Sequence, residues 1–151
     1  MTSRLTSIAT HATALLAAIW AGLVVGVSFI ATPVKFSAPT LELVPAIDVG
    51  RVTFALLNQV EWWLAGLTLI LALLAHRAMF RLILIGLAVA VVLFQTFWLL
   101  PILDARSVAF VAGEPLPPSF HHAVFGVVES LKVLALVFAA IAYGRAVRQT
   151  P

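Results

Sequence analysis

The chain has 151 residues, of which 63% are hydrophobic and only 10% are charged. Soluble domains average about 25% charged residues, so this composition excludes an ordinary water-soluble domain and favours a single membrane domain over residues 1–151. The absence of cysteine excludes disulfides, thiolate metal sites and cysteine nucleophiles. Because of where the charges lie, we attribute the net charge of +3 to membrane orientation and expect no nucleic-acid partner.

Four stretches are long and apolar enough to cross a bilayer, which takes roughly 20 residues. They are Ala12–Thr32, Thr53–Ala75, Leu82–Leu100 and His122–Tyr143. We expect the third helix to end at Pro101, and residues 113–118 (Gly-Glu-Pro-Leu-Pro-Pro) predict a non-helical connection to the fourth. The predicted fold is therefore all-α: an integral membrane bundle of four transmembrane helices.

The basic residues predict how this bundle is oriented, because cytoplasmic loops are enriched in lysine and arginine. One side carries five arginines and no acid, a sum of +5: Arg4, Arg77, Arg81, Arg145 and Arg148. The other side carries three basic and four acidic residues, a sum of −1: Lys35, Arg51, Arg106, Glu42, Asp48, Asp104 and Glu114. We therefore expect a multi-pass protein of the cell inner (plasma) membrane with cytoplasmic N- and C-termini.

The sequence also contains a weak internal repeat with an offset of 68 positions. This offset places Pro33 on Pro101, Glu61 on Glu129, and Arg77 on Arg145 without a gap. It predicts two helical hairpins, residues 13–78 and 81–146, related by a pseudo-twofold axis along the membrane normal. The alternative is that any two hairpins of similar length produce such matches.

Polar residues within the apolar stretches mark a candidate site, since ionisable groups in lipid cost at least a few kcal/mol. Glu61 and Glu129 each lie about 10 Å from the outer end of their stretch, at roughly 1.5 Å per residue. Helical spacing places Asn58 beside Glu61, and His122 on the same face as Glu129 and Lys132. We predict an inward polar cluster in the outer half of the bundle, open or nearly open to the outside. Its members are Asn58, Glu61, Gln95, His122, Glu129 and Lys132.

Three interpretations of this cluster stay open. It binds a small ligand, a proton or a cation, it only fixes the register of the bundle, or it contacts the helices of a partner. In the structural version Glu129 and Lys132 neutralise each other, while Glu61 stays protonated or bonds Gln95. The histidines lie at opposite ends of the stretches, so we expect no haem, and we expect no metal, no other cofactor and no catalytic residue.

Short motifs across most of the chain resemble the transmembrane protein 205-like family of small membrane proteins. They are Trp20-x-Gly22, Pro33-x-x-Phe36, Pro101, and Phe120 with His122. The chain departs from that family at Glu129, where an asparagine is common. The resemblance implies a four-span membrane protein and says little about chemistry.

A second, local resemblance covers eleven residues of the second stretch. Arg51-Val52, Ala55, Leu57, Asn58 and Glu61 are similar to a signature of membrane-associated glutathione-metabolising enzymes. In that family these residues help to hold glutathione within a trimer. The later helices lack the set of arginines and tyrosines that such an enzyme is expected to have, and Tyr143 is the only tyrosine in the chain.

The preferred interpretation is a non-enzymatic membrane protein that binds a small ligand, proton or cation, or that serves as a subunit of a membrane assembly. The alternative is a glutathione-dependent, transferase-like enzyme acting on lipophilic substrates. The expected partners are membrane lipid and a second or third copy of the chain, in a homodimer or homotrimer.

The charge asymmetry makes the orientation testable, because the chain lacks cysteine. Single cysteines at Ser37 and Arg77 are introduced separately, and intact cells are treated with an impermeant maleimide. We expect labelling at position 37 and none at position 77. Labelling at 77 but not at 37 would contradict the predicted topology.

Overall fold

The computed structural model of the protein describes residues 2–75 and 78–148. Its first rod contains α1 (Thr2–Val24), a π-helical segment (Val25–Ala31) and α2 (Thr32–Lys35). The second is α3 (Leu43–Leu74), and the third contains α4 (Met79–Phe94), a second π-helical segment (Gln95–Leu99) and α5 (Leu100–Val111). The fourth is α6 (His121–Arg148). Each rod contains a helix long and apolar enough to cross a membrane, which confirms the predicted fold class.

The four rods pack as a closed ring in which α1 and α4 each contact α3 and α6. Small residues occupy much of the core and allow the helix backbones to approach closely, as is typical of membrane bundles. The alanines of the core include Ala17, Ala65, Ala72, Ala88 and Ala139. Large apolar side chains, among them Leu15, Ile70, Phe97 and Val127, are exposed on the outside. This inverted pattern, with an apolar exterior, fits contact with lipid.

The helices are longer than the sequence pattern predicted. The second rod begins at Leu43 rather than Thr53, and the third begins at Met79 and continues to Val111. Arg51 connects the two extended ends, because its guanidinium lies 3.0 Å from Asp48 within α3 and 3.4 Å from Asp104 of α5. At about 1.5 Å per residue the second rod measures roughly 48 Å. It therefore projects beyond a hydrocarbon core of about 30 Å.

The prediction that Pro101 ends the third helix is wrong. The π-helical segment Gln95–Leu99 precedes this proline, which lies in the first turn of α5. In a first turn the missing N–H is not required, and the fixed φ angle suits the helix. Pro33 occupies the same kind of position in α2 after the π-helical segment that ends at Ala31. The two segments end 68 positions apart, but the internal repeat itself stays a prediction.

The two ends of the bundle differ in their connections and charges. The end that we call the loop end carries the connections of residues 36–42 and 112–120, and the latter is non-helical as predicted, with Gly113 at φ 77°. The opposite end, the arginine end, contains Arg4, Arg81 and Arg145. His76 and Arg77 of the predicted cytoplasmic turn lie outside the described residues, as does the side chain of Arg148.

Candidate functional site

A fully buried lysine lies at the centre of the polar cluster. The side chain of Lys132, on α6, has no exposed surface, and its Nζ lies 2.5 Å from Oε1 of Glu61 and 2.7 Å from Oε2 of Glu129. The same Nζ donates a hydrogen bond of 2.8 Å to Oε1 of Gln95. An ammonium group has three N–H donors, and each of them therefore has an acceptor.

Glu129 is surrounded by donors from three spans. Its Oε1 accepts a hydrogen bond of 2.7 Å from the Ser28 hydroxyl. Its Oε2 accepts one of 2.8 Å from the Gln95 amide and also contacts Lys132. Both oxygens of Glu129 therefore have a hydrogen-bond donor.

Glu61 has a different environment, although it is equally buried. Its Oε1 accepts a hydrogen bond of 2.8 Å from the indole N–H of Trp20 and contacts Lys132. Its Oε2 accepts no hydrogen bond from any residue that the structure describes. Only 3% of Glu61 is exposed. We call Glu61, Glu129 and Lys132 the buried triad.

All four spans contribute to the arrangement around the triad. On α6, i, i+3 spacing places Glu129 and Lys132 on one face, while Glu61 reaches the lysine from α3. Ser28 and Gln95 lie in the two π-helical segments. A π turn shifts the phase of the side chains relative to the rest of the helix, and such turns are frequent at functional sites.

The structure thus brings together four of the six predicted site residues: Glu61, Gln95, Glu129 and Lys132. It closes them off rather than opening them to the outside, since each is at most 3% exposed. Asn58 does not bond the triad. Its amide donates a hydrogen bond of 2.9 Å to the Thr96 hydroxyl. This pair lies about one helical turn nearer the loop end than Glu61. His122 is exposed and contacts none of the charged groups.

Sequence reasoning missed two residues of the site, Trp20 and Ser28. Both lie in the first span, where no charged residue marked a polar face. Trp20 belongs to a short motif of the first stretch and carries no charge; it is fully buried and donates a hydrogen bond to Glu61. The one available signal for Ser28 was the repeat offset of 68, which aligns it with Thr96. The hydrogen bond between Glu61 and Gln95 that the structural interpretation allowed is not present in the part of the chain that the structure describes.

A cavity of about 560 Å³, which we call the vestibule, lies between the triad and the loop end. Its floor contains Asn58 and Thr96, and Phe54 and Phe125 form part of its wall with ring centroids 4.9 Å apart. His122 also lines it. The site therefore has two layers, a closed ionic layer and a larger cavity next to it.

The triad makes a prediction about stability. Replacing Lys132 with methionine leaves two buried carboxylates without their cation. Breaking a buried pair in this way costs about 3–5 kcal/mol. Replacing Glu61 with glutamine keeps a group that accepts from Trp20 and Lys132, and leaves the lysine paired with Glu129. We therefore expect Lys132→Met to lower the thermal unfolding midpoint in detergent strongly and Glu61→Gln to change it little. Equal midpoints for the two variants would contradict the described network.

Comparisons with known proteins place the chain in a family without assigning it a chemistry. The family model DUF4149, a domain of unknown function, matches residues 15–109. No curated protein and no solved structure matched. The matched part contains Trp20, Ser28, Glu61 and Gln95, while Glu129 and Lys132 follow it. The resemblances to transmembrane protein 205-like proteins and to glutathione-metabolising enzymes stay predictions. Because the match covers more than half of its length, the chain belongs to the DUF4149 family of domains of unknown function.

Proposed function

We propose that this small multi-pass membrane protein binds one exchangeable proton at the buried triad. The supporting observation is that one lysine lies between two carboxylates in a layer at most 3% exposed. If all three groups are ionised, their charges sum to −1. An uncompensated charge is costly in a medium of low dielectric constant, so the layer favours the uptake of one positive charge.

A proton suits this layer better than a metal ion. Hard cations such as Ca²⁺ require six or more oxygen ligands, and Mg²⁺ requires an octahedral set. In the described part of the chain, no group of three or more histidine, aspartate or glutamate residues could hold a metal ion. Lys132 also occupies the space between the two carboxylates. A proton needs only one acceptor oxygen.

The oxygen that best suits the proton is Oε2 of Glu61. Both oxygens of Glu129 already accept hydrogen bonds, and Oε1 of Glu61 accepts from Trp20 and contacts Lys132. Oε2 of Glu61 is the remaining acceptor among these four atoms. A proton there leaves a neutral Glu61 beside an ionised pair of Glu129 and Lys132.

The proposed location follows from the predicted orientation. With the arginine end in the cytoplasm of a cell bounded by an inner (plasma) membrane, the vestibule opens toward the outside. Asn58 and Thr96 then separate the vestibule from Glu61, which lies about one turn deeper on α3. Protons pass between Glu61 and the outer solution by way of Asn58, Thr96 and the vestibule.

Infrared spectroscopy tests the proposal by counting protonated carboxyl groups. A neutral carboxyl gives a carbonyl band that a carboxylate lacks, and the loss of this band in a triad variant assigns it to the triad. We expect one such band in the wild type and none in Glu61→Gln or Glu129→Gln, because either change brings the layer to zero charge. We expect a stronger band in Lys132→Met. A wild-type protein without this band between pH 5 and pH 8 would refute the proposal.

Two further variants locate the proton. If Glu61 carries it, Oε1 is the carbonyl oxygen, and removing the Trp20 donor in Trp20→Phe moves the band to higher frequency. Ser28→Ala is the matched control, because Ser28 donates only to Glu129. A shift in Ser28→Ala and none in Trp20→Phe would place the proton on Glu129 instead.

A further inference from the structure

We infer that the vestibule is a binding site for an amphipathic anion, a molecule with an acyl chain and an acidic head group. This inference concerns the cavity and is independent of the proton proposed for the triad. It rests on the apolar walls, on the hydrogen bonds that its hydroxyl groups already make, and on one unpaired cation.

The walls of the vestibule are mainly apolar. They include Phe36, Leu43, Ile47, Phe54, Leu100 and Phe125. The volume of about 560 Å³ falls within the range of roughly 300–1,000 Å³ that is typical of small-molecule sites. Burying an acyl chain against such walls is favourable by about 0.8 kcal/mol for each CH₂ group. The walls therefore select a chain rather than a compact polar ligand.

The hydroxyl groups around the cavity already have partners in the protein. Thr32 donates to the carbonyl of Val27, and Ser107 to that of Leu103. Thr96 and Asn58 on the floor bond each other. These groups do not need a ligand to satisfy them, so they do not select a polyhydroxylated ligand such as a sugar.

The two cations of the cavity differ in their partners. Arg51 contacts Asp48 at 3.0 Å and Asp104 at 3.4 Å. The ammonium of Lys35 makes no ion pair or hydrogen bond with any residue that the structure describes. Its Nζ lies 5.0 Å from the ring centroid of Phe36. Lys35 is therefore the cation available for an acidic head group.

Gly50 leaves room for the ammonium of Lys35 beside α3. A Cβ atom at position 50 would collide with this Nζ, so the ammonium lies directly against the backbone of α3. The side chain is only partly exposed. A half-buried ammonium without an anion is poorly compensated, and a carboxylate or phosphate would form charge-assisted hydrogen bonds with it. The head group is thus placed near the loop end, with the chain between Phe54 and Leu100.

Native mass spectrometry of the purified protein, titrated with oleate and with oleyl alcohol, tests this inference. The two ligands share a chain and differ in charge. We expect one oleate per chain and binding of oleyl alcohol that is weaker by about tenfold, the scale of one charge-assisted contact. Lysophosphatidate, which combines an acyl chain with a phosphate, is the third ligand in the titration. Whichever of the two anions binds more tightly identifies the head group as carboxylate or phosphate.

Variants of Lys35 supply the control. Lys35→Met should weaken oleate binding about tenfold and leave the binding of oleyl alcohol unchanged. Lys35→Arg should restore the preference for oleate over oleyl alcohol. Arg145→Met removes the same charge at the arginine end, where the side chain is exposed, and should have no effect. Circular dichroism checks that each variant is folded.

Three results would overturn the inference. They are equal affinities for oleate and oleyl alcohol, equal losses in Lys35→Met and Arg145→Met, or displacement of oleate by an equal concentration of glutathione. Glu61→Gln should bind oleate normally, and Lys35→Met should keep the infrared band of the triad. The vestibule and the proposed proton site can therefore fail separately.

Discussion

The contact on which the structure depends is that of Lys132 with two carboxylates inside an apolar bundle. The ammonium bridges Glu61 of α3 and Glu129 of α6, and α3 and α6 are not neighbours in the helix ring. The attraction between such groups is strong because the dielectric constant around them is low, and leaving any one of them unpaired is costly for the same reason. Every span must therefore hold its polar residue within hydrogen-bond distance of this centre.

The two π-helical segments are the local means by which the spans meet this requirement. Ser28 and Gln95 both lie in such segments, and both contact Glu129. Pro33 and Pro101 follow closely, in first turns where a proline is tolerated. In the first and third rods this stretch thus presents a polar side chain to the core, and the rod then continues as an α-helix toward the loop end.

The extended helices at the loop end create a cavity that a shorter bundle would lack. Residues 43–52 and 100–111 continue the second and third rods, and Arg51 connects them through Asp104. The resulting vestibule is apolar, and Lys35 is its unpaired cation among the described residues. The buried triad is charged and closed whereas the vestibule is mainly apolar, and we therefore propose a proton for the former and an acidic lipid for the latter.

The sequence alone determined the architecture and the depth of the charges. Four apolar stretches require four spans, and the cost of charge in lipid requires that Glu61, Glu129 and Lys132 face inward. Only the tertiary structure decided which groups meet. Trp20 carries no charge, and a serine such as Ser28 can satisfy its hydroxyl within its own helix, so neither residue signals a long-range bond in the sequence. Whether the layer is closed depends on how four helices pack, which no single stretch encodes.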